Sequence, residues 1–201
     1  MNRRFSWVIK ATLALLLGGS LLGCSPIKSQ FLRGDYDKVD KFKVKRLRVT
    51  LAPLPLQRAD LGKLWRDIVE THISQKKNYI LKSVVALKAK GELKAHCVKG
   101  VEGWLHFKPL LVQKGNQVAV AVEATMWRCY DGKKVWSTSG GGSWASVDKE
   151  LTAMTASYAK KYGKAIKAFV APSARLLFPV IENLPNPKLN EQDLIEKIQS
   201  S

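Results

Sequence analysis

The sequence predicts a single α/β domain of the α+β kind, a mixed β-sheet with helices packed on it. Three observations predict that class. Residues 42–88 read as strand, helix, strand, the opening of a β-α-β unit. Residues 104–137 alternate apolar and polar side chains around two turn signals, the pattern of an antiparallel β-meander. A long amphipathic helix then follows. With 201 residues, 46% hydrophobic and 25% charged, the chain has enough apolar material for one such core. The same composition argues against a disordered chain, a collagen-like repeat or a multi-span membrane protein.

Each element has its own justification in order. Phe42 and Val44 alternate with lysines, and Leu47, Val49 and Leu51 then alternate with Arg48 and Thr50. The change of parity between Val44 and Leu47 asks for a bulge or two short strands. Pro53 and Pro55 close the second run. From Ala59 to Gln75 the apolar positions Leu61, Leu64, Trp65, Ile68, Val69, His72 and Ile73 form a helical stripe. Residues 79–88 supply a second strand, and 88–100 read as irregular or marginally helical. In the meander, Leu105, Phe107 and Leu111 share one face, while Trp104, His106 and Lys108 share the other. Pro109 asks for an edge or a bulge. Lys114-Gly115-Asn116 is a turn, Val118 to Met126 alternate, and Asp131-Gly132 turns into Val135-Trp136-Ser137. The run Gly140-Gly141-Gly142-Ser143 is expected to break the sheet. Asp148 then caps a helix through Phe169, which Pro172 ends. A Pro-rich stretch, 179–187, leads to a short last helix with Asn190 as N-cap and Leu189 and Leu194 as a hydrophobic staple.

The first residues carry Arg3, Arg4 and Lys10, followed by an uncharged stretch from Ala11 to Leu22. A bilayer-spanning helix needs roughly 20 apolar residues, so this shorter run reads as a secretory signal. It ends in Leu21-Leu22-Gly23-Cys24. That run resembles the bacterial lipoprotein signal Leu-x-Gly-Cys, the alternative being an unprocessed anchor with an incidental cysteine. The resemblance implies cleavage after Gly23, diacylglycerol on the Cys24 sulfur and a further acyl chain, of the palmitate kind, on its amine. Each buried CH₂ contributes about 0.8 kcal/mol, so several chains anchor stably where one would not. Ser25, in place of the Asp typical of inner-membrane lipoproteins, implies the outer membrane with the domain facing the periplasm. The chain thus divides into a cleaved signal peptide (1–23), a lipidated cysteine with its tether (24–41) and a globular periplasmic domain (42–201). Residues 25–41 read as tether because they are polar and aperiodic, with Asp35, Asp37 and Asp40 among lysines and arginines.

A net charge of +18, from 34 Lys and Arg against 16 Asp and Glu, ordinarily points to nucleic acid. An exported chain meets none, so the charge must answer to something else. Lys41, Lys43, Lys45, Arg46 and Arg48 cluster where tether meets domain, where attraction to an anionic surface is worth about 1 kcal/mol per cation. Lipopolysaccharide, anionic lipid and peptidoglycan are the candidate counter-charges. Cys97 and Cys129 are an even pair in an oxidising compartment, which favours a disulfide across the open end of the first hairpin. The competing reading is a nucleophilic Cys97 beside His96.

Chemistry of other kinds finds little apparatus. His72 belongs to the apolar stripe of a helix, His96 to the lysine-rich stretch, and His106 to the outward face of an edge strand. None has metal-ligand spacing, so no metal is expected. Ser143 in Gly141-Gly142-Ser143-Trp144-Ala145 lacks the last glycine of a nucleophile elbow, and no histidine follows it. No Gly-Lys-Ser/Thr marks a phosphate loop, and no cofactor is expected. The expectation is therefore a non-enzymatic adaptor or assembly factor that binds a periplasmic or outer-membrane protein. The alternative is a binding module that takes anionic envelope glycans or lipids on the basic face.

Two short motifs carry a fold-level likeness. Arg48-Val49-Thr50-Leu51-Ala52-Pro53-Leu54 and Tyr130-Asp131-Gly132-Lys133-Lys134-Val135-Trp136 resemble the opening strand and the later turn of periplasmic lipoproteins with a TolB N-terminal-like fold. Those are the curli-secretion and peptidoglycan-synthase-activator groups, whose turn carries a Thr that is absent here. The Cys97 and Cys129 pair is similar to that of an uncharacterised lipoprotein family of myxobacteria and spirochaetes. The resemblance implies a fold more than a function.

Overall fold

The computed structural model describes residues 25–54, 58–87 and 93–200. The expected signal peptide, Cys24 and Pro55 lie outside the described residues. The strands are β1 (Ile27–Leu32), β2 (Arg46–Leu51), β3 (Ile80–Ala86), β4 (Gly103–Lys114), β5 (Gln117–Arg128) and β6 (Lys134–Ala145). The helices are α1 (Asp40–Lys43), α2 (Ala59–Lys76), α3 (Leu93–His96), α4 (Thr152–Tyr162), α5 (Lys167–Glu182) and α6 (Glu191–Gln199), with a 3₁₀ turn at Lys164–Ile166 between α4 and α5.

The six strands form one mixed sheet in the order β1-β6-β5-β4-β2-β3. β2 runs parallel to both β3 and β4, so the β2-α2-β3 unit is a crossover, while β4, β5, β6 and β1 are antiparallel neighbours. One face carries the core. Val49, Leu105, Val120 and Met126 from the sheet meet Leu61, Leu64, Trp65 and Ile68 of α2 and Phe169, Leu176 and Leu177 of α5. Trp65 is fully buried, and its indole N–H donates to Ser173 Oγ at 2.9 Å, which joins the two helices. The predicted stripe of α2 is the stripe that packs. The β4–β5 hairpin pairs Lys114 with Gln117 across Gly115-Asn116, as the turn signal requires. Pro109 is tolerated because β2 pairs with β4 only from Gly103 to Phe107, which leaves the rest of β4 unpaired on that side.

Five expectations are corrected. The tether is instead largely structure: β1 pairs with β6, and Tyr36 and Asp40 behind it are buried. Only Ile27 of β1 is sheltered, so this edge strand has no buried face to leave an alternation in the sequence. Phe42 and Val44 form no strand, because α1 turns the chain there and drops Val44 into the core.

The glycine run does not break the sheet but continues β6 through to Ala145. A Cβ on Gly140 would lie 2.7 Å from the Pro26 carbonyl oxygen and 3.1 Å from Leu176 Cδ1. Glycine there lets β1 and α5 close on the strand together. The long helix is two helices, broken at Gly163, whose φ of +97° disfavours any side chain. Pro172 does not end the second one. Residues 169–174 are all buried, and core packing outweighs the roughly 3 kcal/mol that an interior proline costs a helix.

Candidate partner-binding surface

The basic residues expected at the tether do not form one open face. Lys41 pairs with Asp37 at 3.0 Å, and Lys43 lies over the Tyr130 ring, 5.8 Å from its centre. Lys45 donates to Asp193 at 2.6 Å. Arg46 reaches three carboxylates: Glu102 at 3.0 Å, Asp193 at 2.9 Å and Glu196 at 2.5 Å. Lys82 also donates to Glu196 at 2.5 Å. Arg48 projects from β2 opposite Trp104, and its Nε is buried with no acceptor among the described residues. Lys45 and Arg46 are thus turned inward, toward the last helix.

The chain also enters the sheet at the β1 edge, halfway along the strands. Ile27 pairs with Gly140, which faces Val122, which faces Pro109 on β4. Glu102, bound to Arg46, precedes Pro109 by seven residues, roughly 23 Å at the rise of a strand. The cluster therefore stands well away from the point where the N-terminal segment joins the domain.

This network decides which way α6 faces. Asn190 and Asp193 form a reciprocal capping box, with Asp193 N–H donating to Asn190 Oδ1 at 2.9 Å and Asn190 N–H to Asp193 Oδ2 at 3.0 Å. Burial of Asp193 opposes its ionisation, but Lys45, the Asn190 amide and Arg46 outweigh it and hold its pKa below the ordinary carboxylate value. Glu196 is held low by its hydrogen bonds from Arg46 and then Lys82. Lys197 adds a bond to the Lys77 carbonyl at 2.5 Å. The helix is thus docked by its polar side. Its apolar residues point out: Leu194 is 48% exposed, Ile195 56% and Ile198 78%.

An amphipathic helix ordinarily buries the opposite face. Beside Leu194 a cleft of about 560 Å³ opens between the N- and C-terminal segments, bordered by Leu32, Tyr36, Leu189 and the Lys41 and Lys188 side chains. Sequence reasoning placed Leu194 in a staple and missed this surface. The available signal was charge: Glu191, Asp193 and Glu196 lie close together in a chain otherwise dominated by lysine.

Cys97 and Cys129 form a disulfide, with Cα atoms 5.3 Å apart, where β4 begins and β5 ends. It leaves no free thiol beside His96. His72 is buried against the Phe178 ring, 4.2 Å between centres. His106 is not simply outward: it is half-buried in a chain where Trp104 Nε1 donates to Thr50 Oγ1, and Thr50 Oγ1 and His106 Nδ1 share a hydrogen bond at 2.8 Å. His96 stacks on Trp104, which stacks on Trp127. Both nitrogens of His96 are buried without a partner among the described residues, and burial, then the nearby Arg48 charge, lowers its pKa. Ser143 stands in β6 and donates to Gln117. Among the described residues, no three His, Cys, Asp or Glu are grouped to hold a metal, and no helix is long and apolar enough to cross a membrane.

No protein-family model matches the chain, and no curated protein matches it in sequence. Solved structures similar to it include the PelC dodecamer from Paraburkholderia phytofirmans. That chain is 14% identical, with 76% of this chain and 94% of that one covered and a TM-score of 0.42. Lipoprotein GNA1162 from Neisseria meningitidis is 16% identical, with 58% and 96% covered and a TM-score of 0.37. The hypothetical protein CT253 from Chlamydia trachomatis is 11% identical, with 68% and 91% covered and a TM-score of 0.36.

Proposed function

We propose that this chain is a lipid-anchored envelope lipoprotein that acts as a non-enzymatic adaptor, docking a periplasmic or outer-membrane protein on the outward face of α6. The observation that carries the reading is the inverted helix, with Asp193 and Glu196 tied to the domain while Leu194, Ile195 and Ile198 face outward. Burying the three exposed side chains on a partner is worth on the order of 3 kcal/mol, enough for the centre of a modest interface. A membrane is the poorer occupant for this face. Interfacial helices set Lys and Arg on their polar side, whereas Glu191, Asp193 and Glu196 make this helix acidic. A lipid on Cys24 would also hold the β1 edge of the sheet toward the bilayer, while α6 is bonded at the β2–β3 edge and left free to meet a protein.

The experiment is site-specific photocrosslinking in the intact envelope, with the probe at Ile198 and a control probe at Ser139 on the face of the sheet opposite α2 and α5. The expected result is one discrete adduct from Ile198 that Leu194→Asp abolishes without changing the thermal melt. Equal adducts from both positions, or none from Ile198, would overturn the proposal.

A further inference from the structure

A second cavity, of about 610 Å³, opens between the end of β2, the first turns of α2 and the end of β3. Its volume falls in the range of small-molecule sites. The walls are apolar, from Leu51, Leu54, Trp65 and Leu87. The space exists because its floor is made of small residues, Ala59 and Gly62 on α2 and Ala86 on β3.

Gly62 is the informative one. Glycine is disfavoured inside a helix, and a Cβ here would meet only Ala86 Cβ at 3.8 Å, an ordinary contact. Close approach of the backbone therefore does not require glycine, whereas any longer side chain would grow into the cavity.

The rim is cationic. Arg58 is paired with Asp60, and Asp67 is occupied by Lys161 and Tyr162. That leaves Lys63 with no ion pair among the described residues. Arg66 touches Asp67 at 3.4 Å, and its Nε is buried without an acceptor among the described residues. An apolar hollow with unspent positive charge at its mouth is complementary to one kind of molecule. We propose that this cavity binds a single-chain amphiphile, its alkyl chain among Leu51, Leu54, Trp65 and Leu87 and its anionic head on Lys63 and Arg66. This site is separate from the face of α6.

Titration calorimetry on the full chain tests it with three probes, each below its micelle concentration: dodecyl phosphate, inorganic phosphate and uncharged dodecyl maltoside. Dodecyl phosphate is expected to bind saturably at one site. Arg66→Gln with Lys63→Glu weakens it at least tenfold, and Gly62→Leu abolishes it while the thermal melt holds. No saturable binding of dodecyl phosphate overturns the proposal. Inorganic phosphate binding as tightly overturns the apolar half, and dodecyl maltoside binding as tightly overturns the anionic half. Undiminished binding by Gly62→Leu places the ligand elsewhere and overturns the assignment.

Discussion

Asp193 of the last helix closes on Lys45 at the threshold of β2, 2.6 Å apart in space and 148 positions apart in the chain. That bond, with its companions from Arg46, fixes a helix whose apolar side is left facing out. The first prediction tests the orientation. Asp193→Ala removes a cap and leaves two cations without their most buried partner, and should cost about 2–3 kcal/mol in urea unfolding. Ile198→Ser should change stability by less than about 0.5 kcal/mol, since it is an exposed position. The reverse order of the two effects would mean that α6 packs by its apolar side.

His96 gives the second prediction. Among the described residues neither of its ring nitrogens has a partner, while its ring face is well used against Trp104. His96→Phe keeps the stacking and removes the unsatisfied polar atoms, and should raise stability by about 1 kcal/mol at pH 7. A loss of stability would show that an imidazole nitrogen is bonded in solution.

The third prediction concerns pH. Burial is the largest cause lowering the pKa of His72, His96 and His106 alike. As pH falls below about 6.5 the unfolded chain takes up protons that the folded chain resists, so stability declines from there. Asp193 and Glu196 are also depressed, so their contribution is complete above about pH 4.5 and is lost as pH falls through their lower folded values. Urea midpoints from pH 8 to pH 2.5 should therefore show two successive declines. His96→Phe should reduce only the upper one and Asp193→Asn only the lower. A single decline confined below pH 4 contradicts the assignment.

The disulfide supplies the fourth. Cys97 and Cys129 are separated by 32 positions, and closing a loop of that size in the unfolded chain is worth about 3–4 kcal/mol at 25 °C. The double serine variant should lose that amount in denaturant titration with an altered m value, because the unfolded chain is no longer tied. An unchanged midpoint would mean the bond contributes strain equal to its entropic gain.

Gly140 gives the fifth. A methyl group there meets the backbone oxygen of Pro26, so Gly140→Ala should loosen β1 from β6 at a cost of about 1–3 kcal/mol. Limited proteolysis should then cut first within residues 27–32. Unaltered cleavage would show that the edge strand can shift to make room.

Much of the sheet was legible, and for one reason: a strand or helix with one buried face leaves a period in the sequence. Val118 to Met126 and the α2 stripe are such cases, and the turns at Gly115 and Asp131-Gly132 set their pairing. β1 left no period because nearly all of it is exposed, and Pro172 misled because local preference was overruled by burial. The site was less legible than the fold. The basic cluster of residues 41–48 was visible as charge, but charge carries no direction, and the carboxylates Asp193 and Glu196 that turn Lys45 and Arg46 lie at the far end of the chain.

The sequence by itself determined the class of fold, the hairpin register, the Asn190 cap and the paired cysteines, since each depends on residues near in sequence or on a simple count. Only the tertiary structure decided that Lys45 and Arg46 face inward, that Leu194, Ile195 and Ile198 face out, and that small residues on α2 and β3 leave a cavity between them. Those outcomes depend on contacts across a hundred residues or more, or on space between separate elements. No local pattern encodes either.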